Sequence, residues 1–126
     1  MKSINTKEAP AAIGPYSQAV ISNGTVFTSG QIPLSPESGE LIAGGIQKQT
    51  QQVINNLKAV LCAAGSSLDR VIKTTCYLTD MQNFAAFNEV YTKEFPSKPS
   101  RSCVAVAALP KGALVEIEAI AEVAEA

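Results

Sequence analysis

Histidine is absent from all 126 residues, which removes the usual general base near neutral pH, the commonest metal ligand and any Ser-His or Cys-His nucleophile couple. Whatever chemistry the chain performs falls to carboxylates, arginine, tyrosine and backbone groups. Cysteine is scarce as well: Cys62, Cys76 and Cys103 are odd in number and far apart, so they make neither a disulfide framework nor a zinc-type Cys-x-x-Cys pair, and a reducing compartment suits them. Positive charge is not in surplus. Ten Lys and Arg against eleven Asp and Glu leave a formal charge of -1, without the basic excess of a nucleic-acid binder. No segment approaches the ~20 apolar residues of a membrane span, and Met1 to Glu8 lacks the apolar centre of a secretory signal. These absences predict a soluble, cytoplasmic protein that needs no metal or cofactor and partners neither nucleic acid nor membrane.

The chain does have enough apolar residues for a core. At 46% hydrophobic, and with no stretch of biased composition, it is expected to form one domain over residues 1–126 that buries roughly two thirds of its unfolded surface. The pattern predicts strands alternating with two helices. Gln18 to Ile21 and Thr25 to Ser29 are β-rich runs flanking Asn23-Gly24, a pair that readily takes the positive φ angles of a tight hairpin. A turn cluster at Ser35 to Gly39 precedes a short expected strand at Leu41-Ile42. From Ile46, the residues Val53, Ile54, Leu57, Val60, Leu61 and Ala64 recur at helical spacing, and Gly65 stands where a left-handed C-terminal cap belongs. Val71 to Leu78 is dense in β-branched residues and reads as an interior strand. Asp80 is placed to cap a second helix, whose Phe84, Phe87, Asn88, Tyr91 and Phe95 form one stripe ahead of Pro96.

Ser102 to Ala107 and Leu114 to Val123 are expected to pair as a second hairpin around Pro110-Lys111-Gly112. The fold class is therefore α+β: a single mixed sheet of about six strands with two helices on one face. The last strand alternates Val115, Ile117, Ala119, Ala121 and Val123 with Leu114, Glu116, Glu118, Ile120 and Glu122. The second set is too apolar for a simply solvated face and predicts association through it. The hairpin's register sets Glu116 opposite Ala105 and Arg101 opposite Ile120, which puts Arg101, Cys103 and Glu116 on one face but about 13 Å apart along the strands.

Arg101, in Pro99-Ser100-Arg101-Ser102-Cys103-Val104, is the candidate anion site. Its planar fork grips a carboxylate at two points, and a nearby glutamate such as Glu116 could steer a water or proton. Plainer roles stand beside these. Arg101 could pair with Glu118 or Glu122 of another chain, and alternating acids often only keep a strand soluble. Tyr16, after the rigid Gly14-Pro15 turn, could simply pack at the domain edge; Gly30 could mark a bulge or admit a ligand to the backbone; Asn88 could be a buried amide. Cys103 has no partner able to make it a thiolate nucleophile apart from Arg101, and reads as a packing residue.

The Pro99 to Val104 hexad, with Ala9-Pro10-Ala11-Ala12-Ile13-Gly14-Pro15-Tyr16, Thr28-Ser29-Gly30-Gln31-Ile32-Pro33 and Val71-Ile72-Lys73-Thr74-Thr75, resembles the blocks of the RidA family of reactive intermediate deaminases, in the family's order and spacing over nearly the whole chain. The resemblance implies a chorismate mutase-like fold, a homotrimer with inward-facing sheets, and sites between subunits. It further implies hydrolysis of 2-iminopropanoate, 2-iminobutanoate or their enamine tautomers to 2-keto acids and ammonia. Arg101 and Glu116 would be catalytic, with Arg101, Tyr16, Ser29, Gly30, Asn88 and Cys103 around the substrate, Cys103 mainly through its backbone. The loop Phe95 to Pro99 is short beside longer relatives and would reshape the mouth of the pocket. Two rivals remain: a trimeric protein that binds a carboxylate metabolite without turning it over, and a ribonuclease, which suits a histidine-free acidic chain badly.

Overall fold

Asn23 and Gly24 take φ values of 51° and 75° and fold β2 (Ala19–Ser22) directly onto β3 (Thr25–Thr28), the tight hairpin expected of that dipeptide. In this computed structural model, which describes residues 1–124, β1 (Lys2–Ile4) extends the hairpin on its outer side. The final two positions of the expected 1–126 domain lie outside the described residues. Leu41 makes only a single bridge to Leu34, so the short strand expected at Leu41-Ile42 does not form.

The first helix, α1 (Ile46–Ala63), buries Val53, Ile54, Leu57, Val60 and Leu61 along one side. Its end is a Schellman motif: Gly65, at φ 78°, donates its N–H to Cys62 O at 3.0 Å, and Ser66 donates to Leu61 O at 2.8 Å. Leu57 is fully buried between this helix and the sheet, and Leu57→Ala is expected to lower stability by about 2–5 kcal/mol in a urea titration. The chain continues through β4 (Val71–Leu78), α2 (Phe84–Glu94), β5 (Ser100–Ala105) and β6 (Val115–Glu122). Asp80 accepts a hydrogen bond from Gln82 N at 2.9 Å and thereby caps the short turn that leads into α2.

One six-stranded sheet results, in the order β1-β2-β3-β6-β4-β5, mixed in direction, with α1 and α2 on one face. The second hairpin expected from the sequence is wrong. β5 pairs with β4 in parallel, while β6 lies between β3 and β4 and runs antiparallel to both. The reason is the helix between β4 and β5: α2 carries the chain back to the end where β4 began, so β5 can only run beside it in the same sense. With one edge of β4 occupied by β5, β6, which has one wholly apolar face, takes the other and is paired on both sides. Pro110 to Gly112 do form a turn, with Lys111 at φ 58°, but inside a connection that crosses the end of β4 rather than closing a hairpin.

Alternation along these strands sets the two faces. Val115, Ile117, Ala119 and Ala121 of β6 and Thr74, Cys76 and Leu78 of β4 face the helices and are buried. The opposite face, uncovered in the single chain, carries Glu116, Glu118, Ile120 and Tyr77, together with Phe27 and Val104 at 43% and 46% exposure. No helix among the described residues is long and apolar enough to cross a membrane.

Candidate active site

Arg101 leaves β5 on the helix-covered face, in register with Thr74 of β4 and, one strand further, Ala119 of β6. The second helix was built to receive it. Asn88 Oδ1 accepts a hydrogen bond from Arg101 Nη1 at 2.7 Å. Three positions on, Tyr91 lies one helical turn away and places its ring 4.7 Å from the guanidinium carbon, with the rings of Phe84 and Phe87 at 5.5 and 6.0 Å. Tyr91 is itself fixed by a 2.7 Å hydrogen bond between its hydroxyl and Thr74 Oγ1, and burial raises its pKa, so it stays a neutral phenol. The guanidinium is thus oriented by an amide and an aromatic face, neither of which cancels its charge, and its remaining N–H groups are left to take an anion. The sequence offered Phe84, Phe87 and Tyr91 as a helical core stripe; their second role as the platform under Arg101 depends on a strand they do not neighbour in sequence.

Beside the guanidinium lies a cleft of about 490 Å³ between Tyr91, Thr92, Arg101 and the Phe95–Pro99 loop. The loop singled out as short therefore forms one of its walls. Cys103 sits two residues from Arg101 on the same face and is half-buried; burial raises its pKa, with Arg101 opposing, so the group remains a thiol and not a ready nucleophile.

A second group of residues gathers elsewhere. Glu116 stands on the open face of β6, opposite Tyr77 of β4. It is half-buried, and desolvation, followed by the nearby Glu118 carboxylate, holds its pKa above the usual carboxylate range. Gly30 lies directly against it. A Cβ at Gly30 would come within 2.7 Å of the Glu116 carboxyl carbon and closer still to Oε2, so the absent side chain is what gives the carboxylate its place. Paired backbone bonds between Gln31 and Ile117, 2.8 and 3.1 Å, keep that segment against β6. Gly30→Ala is expected to push the Glu116 side chain out of position and to lower turnover without unfolding the chain, as comparison of kcat with the melting curve would show.

Ser29 Oγ donates to Ser17 O at 2.6 Å and ties the Gly30 segment to the Tyr16 loop. Tyr16 is 53% exposed and lines, with Gly30, Pro10, Ile13 and Ile32, a cleft of about 340 Å³. Gln18 completes this half and was missed from the sequence. Buried at 2% exposure, it accepts from Thr6 N at 2.7 Å and donates to Thr6 O and Pro10 O at 3.0 and 2.8 Å, anchoring the strap that carries Tyr16. A lone glutamine beside a strand gives no sequence signal for this.

The expected residues therefore separate into two clusters: Arg101, Asn88 and Cys103 in one, Tyr16, Ser29, Gly30 and Glu116 in the other. The shared face inferred from the hairpin register is overturned, since Arg101 and Cys103 lie on the helix side of the sheet and Glu116 on the other. Two strand spacings and three residues of offset put their backbones on the order of 14 Å apart. No one small acid reaches both within a single chain. Among the described residues no group of three His, Cys, Asp or Glu side chains is arranged to hold a metal ion.

Residues 6–123 match the family model described as Endoribonuclease L-PSP. The chain belongs to this family. It is the RidA family to which the motifs pointed, and its members carry different names. A Mus musculus relative, 50% identical over 121 residues that make up 95% of this chain and 90% of its own, is named 2-iminobutanoate/2-iminopropanoate deaminase. One from Lactococcus lactis, 53% identical over 98% of both chains, is named as a regulator, AldR. Among solved RidA-family structures, E. coli TdcF with bound serine superposes with a TM-score of 0.92 at 48% identity, covering 98% of this chain and 100% of that one. The single mixed sheet with two helices is thus the family's fold, as the resemblance implied.

Proposed function

We propose that the protein hydrolyses 2-iminopropanoate, 2-iminobutanoate and related 2-imino acids, or their enamine tautomers, to 2-keto acids and ammonia in the cytoplasm. The site is assembled where two copies of the chain meet, most simply in a homotrimer with the open sheet faces turned inward. The observation that carries this reading is the split itself. One cluster holds an oriented guanidinium with no acidic partner among the described residues and the other a carboxylate of raised pKa beside bare glycine backbone, and they meet around one small acid only if they come from different chains.

In the assembled site Arg101 grips the carboxylate, and Tyr16 with the backbone near Gly30 and Cys103 frames the C=N carbon. Glu116 accepts a proton from the attacking water as its oxygen bonds to that carbon. Glu116 passes that proton to the nitrogen, and the C–N bond breaks to release ammonia as the new hydroxyl forms the C=O and returns its proton to Glu116, from which it passes to water. An iminium is already electrophilic, so positioning and desolvation suffice, and no covalent intermediate arises.

The experiment generates 2-iminobutanoate in situ with a threonine dehydratase and follows loss of the imine, while light scattering gives the mass of the assembly. Faster imine loss with a trimeric mass is the expected result. An unchanged rate would overturn the deaminase and leave the second reading, a binder of carboxylate metabolites with a regulatory role. That reading draws on the oriented Arg101 and on the serine in the related TdcF structure.

A further inference from the structure

Two of the three thiols lie side by side. Cys76 of β4 and Cys103 of β5 are direct register partners in the parallel pair, and both belong to the helix face, since Cys76 alternates with Thr74 and Leu78 there and Cys103 with Arg101. Adjacent strands lie about 4.8 Å apart, inside the ~4.4–6.8 Å between Cα atoms that a disulfide bridges, and side chains of such a pair project in the same direction. Cys62, the third thiol, is exposed on α1 and takes no part.

We propose that Cys76 and Cys103 form a dithiol that hydrogen peroxide closes to a disulfide, and that closure disables the Arg101 half of the site.

The two sulfurs are unequal in access. Cys103 is half-buried at the edge strand, whereas Cys76 is fully buried, with its sulfur 3.8 Å from Thr74 Oγ1. Peroxide therefore reaches Cys103 first. Its sulfur attacks one peroxide oxygen, the O–O bond breaks, and water leaves behind a sulfenic acid. The Cys76 sulfur then attacks the sulfenic sulfur, and the S–O bond breaks as the hydroxyl leaves with the Cys76 proton as a second water. Two thiols are oxidised and one peroxide is reduced to two waters. Burial raises the pKa of both groups, that of Cys76 to about 12, which keeps the pair reduced in the resting protein and confines the reaction to sustained oxidant.

The consequence reaches Arg101 through two residues of β5. The usual Cα separation across a disulfide, ~5.5–6 Å, exceeds the strand spacing, so joining Cys103 to Cys76 pushes the edge strand outward at the point from which the guanidinium extends to Asn88 and Tyr91. A displacement of about 1 Å in a binding group is enough to cost a large factor in capture. This second half of the proposal rests on the deaminase reading; the disulfide itself does not.

The test treats reduced protein with hydrogen peroxide, alkylates free thiols under denaturing conditions and measures intact mass and peptides. The expected product has lost two hydrogens, retains one alkylated cysteine at Cys62 and yields a linked pair of peptides containing Cys76 and Cys103. It binds pyruvate about tenfold more weakly, and dithiothreitol restores the binding. Cys76→Ala and Cys76→Val, which bracket the volume of the buried thiol, are expected to keep the reduced protein's turnover and to give no link. Sulfinic acid on Cys103 without a link, or a link between chains through Cys62, would overturn the pair. A linked protein with unchanged pyruvate affinity would overturn its effect on the site. Should the reduced protein fail to consume imine, the deaminase reading falls, while the mass measurement still decides the disulfide.

Discussion

Arg101→Ala is expected to lower kcat/KM for 2-iminobutanoate by about a hundredfold or more, since two charge-assisted hydrogen bonds at roughly 1.5–3 kcal/mol each disappear from the transition state. Arg101→Lys is expected to fail almost as completely. An ammonium on a flexible stem can neither hold two carboxylate oxygens in one plane nor reproduce the guanidinium's place over Tyr91, 4.7 Å from the ring centre. Loss of fold is a poor alternative explanation, because the guanidinium is at the edge of the structure and makes its hydrogen bond to a side chain, Asn88, rather than to the sheet. Matching melting curves for wild type and both variants, alongside in situ imine assays, would check this. Near-wild-type turnover in Arg101→Lys would mean that net charge alone suffices and that the fork has no part.

Glu116→Gln carries the second large effect. Replacing a general base by an amide of the same shape removes the acceptor for the water's proton, and a loss of about 10²–10⁴ in kcat follows, with KM less affected. The pH dependence has a definite sign. Glu116 must be ionised to accept a proton, and desolvation together with Glu118 raises its pKa, so activity is expected to fall with acid through a midpoint above the ordinary carboxylate value of 4.5. Glu118→Gln withdraws the second of those causes and should move the acid limb of the profile to lower pH. A limb that stays in place in Glu118→Gln would assign it to another group, such as the substrate imine. The elevated pKa also bears on stability: a carboxyl that folding makes harder to ionise is destabilising where the unfolded chain would carry the charge. Glu116→Gln is therefore expected to be no less stable than wild type near neutral pH in urea titrations.

What was legible and what was not divides by the range of the information. Asn23-Gly24, the α1 stripe ending at Gly65, Asp80 ahead of α2 and the alternation of β6 were all readable because each follows from neighbours within a turn or two of chain. Pro110-Lys111-Gly112 misled for the same reason. The residues are a genuine turn, but a turn reports only a change of direction, and the strand that pairs afterwards is chosen by what else needs covering. Once α2 had brought β5 alongside β4, the remaining edge of β4 and the free edge of β3 left a slot that β6 filled, burying Val115, Ile117, Ala119 and Ala121 against the helices. The error propagated to the site, because the register of a hairpin that does not exist placed Arg101 and Glu116 on a common face.

The site residues themselves could be named from their chemistry and their motifs, yet the supporting shell was invisible. Nothing in the order of residues says that Tyr91 is locked by Thr74 beneath a guanidinium, that Gly30 is empty so that Glu116 fits, or that Gln18 fastens the Tyr16 strap. Each joins residues between 8 and 86 positions apart. By itself the sequence determined the local elements, the absence of histidine chemistry and the identity of the anion-binding and acidic groups, since these depend only on side-chain type and short-range periodicity. Tertiary structure alone decided which strands are neighbours and on which face each charge stands, because strand pairing is a competition among distant edges for burial. That competition is what separates a cation and a carboxylate from the same chain, and what leaves a second copy to bring them together.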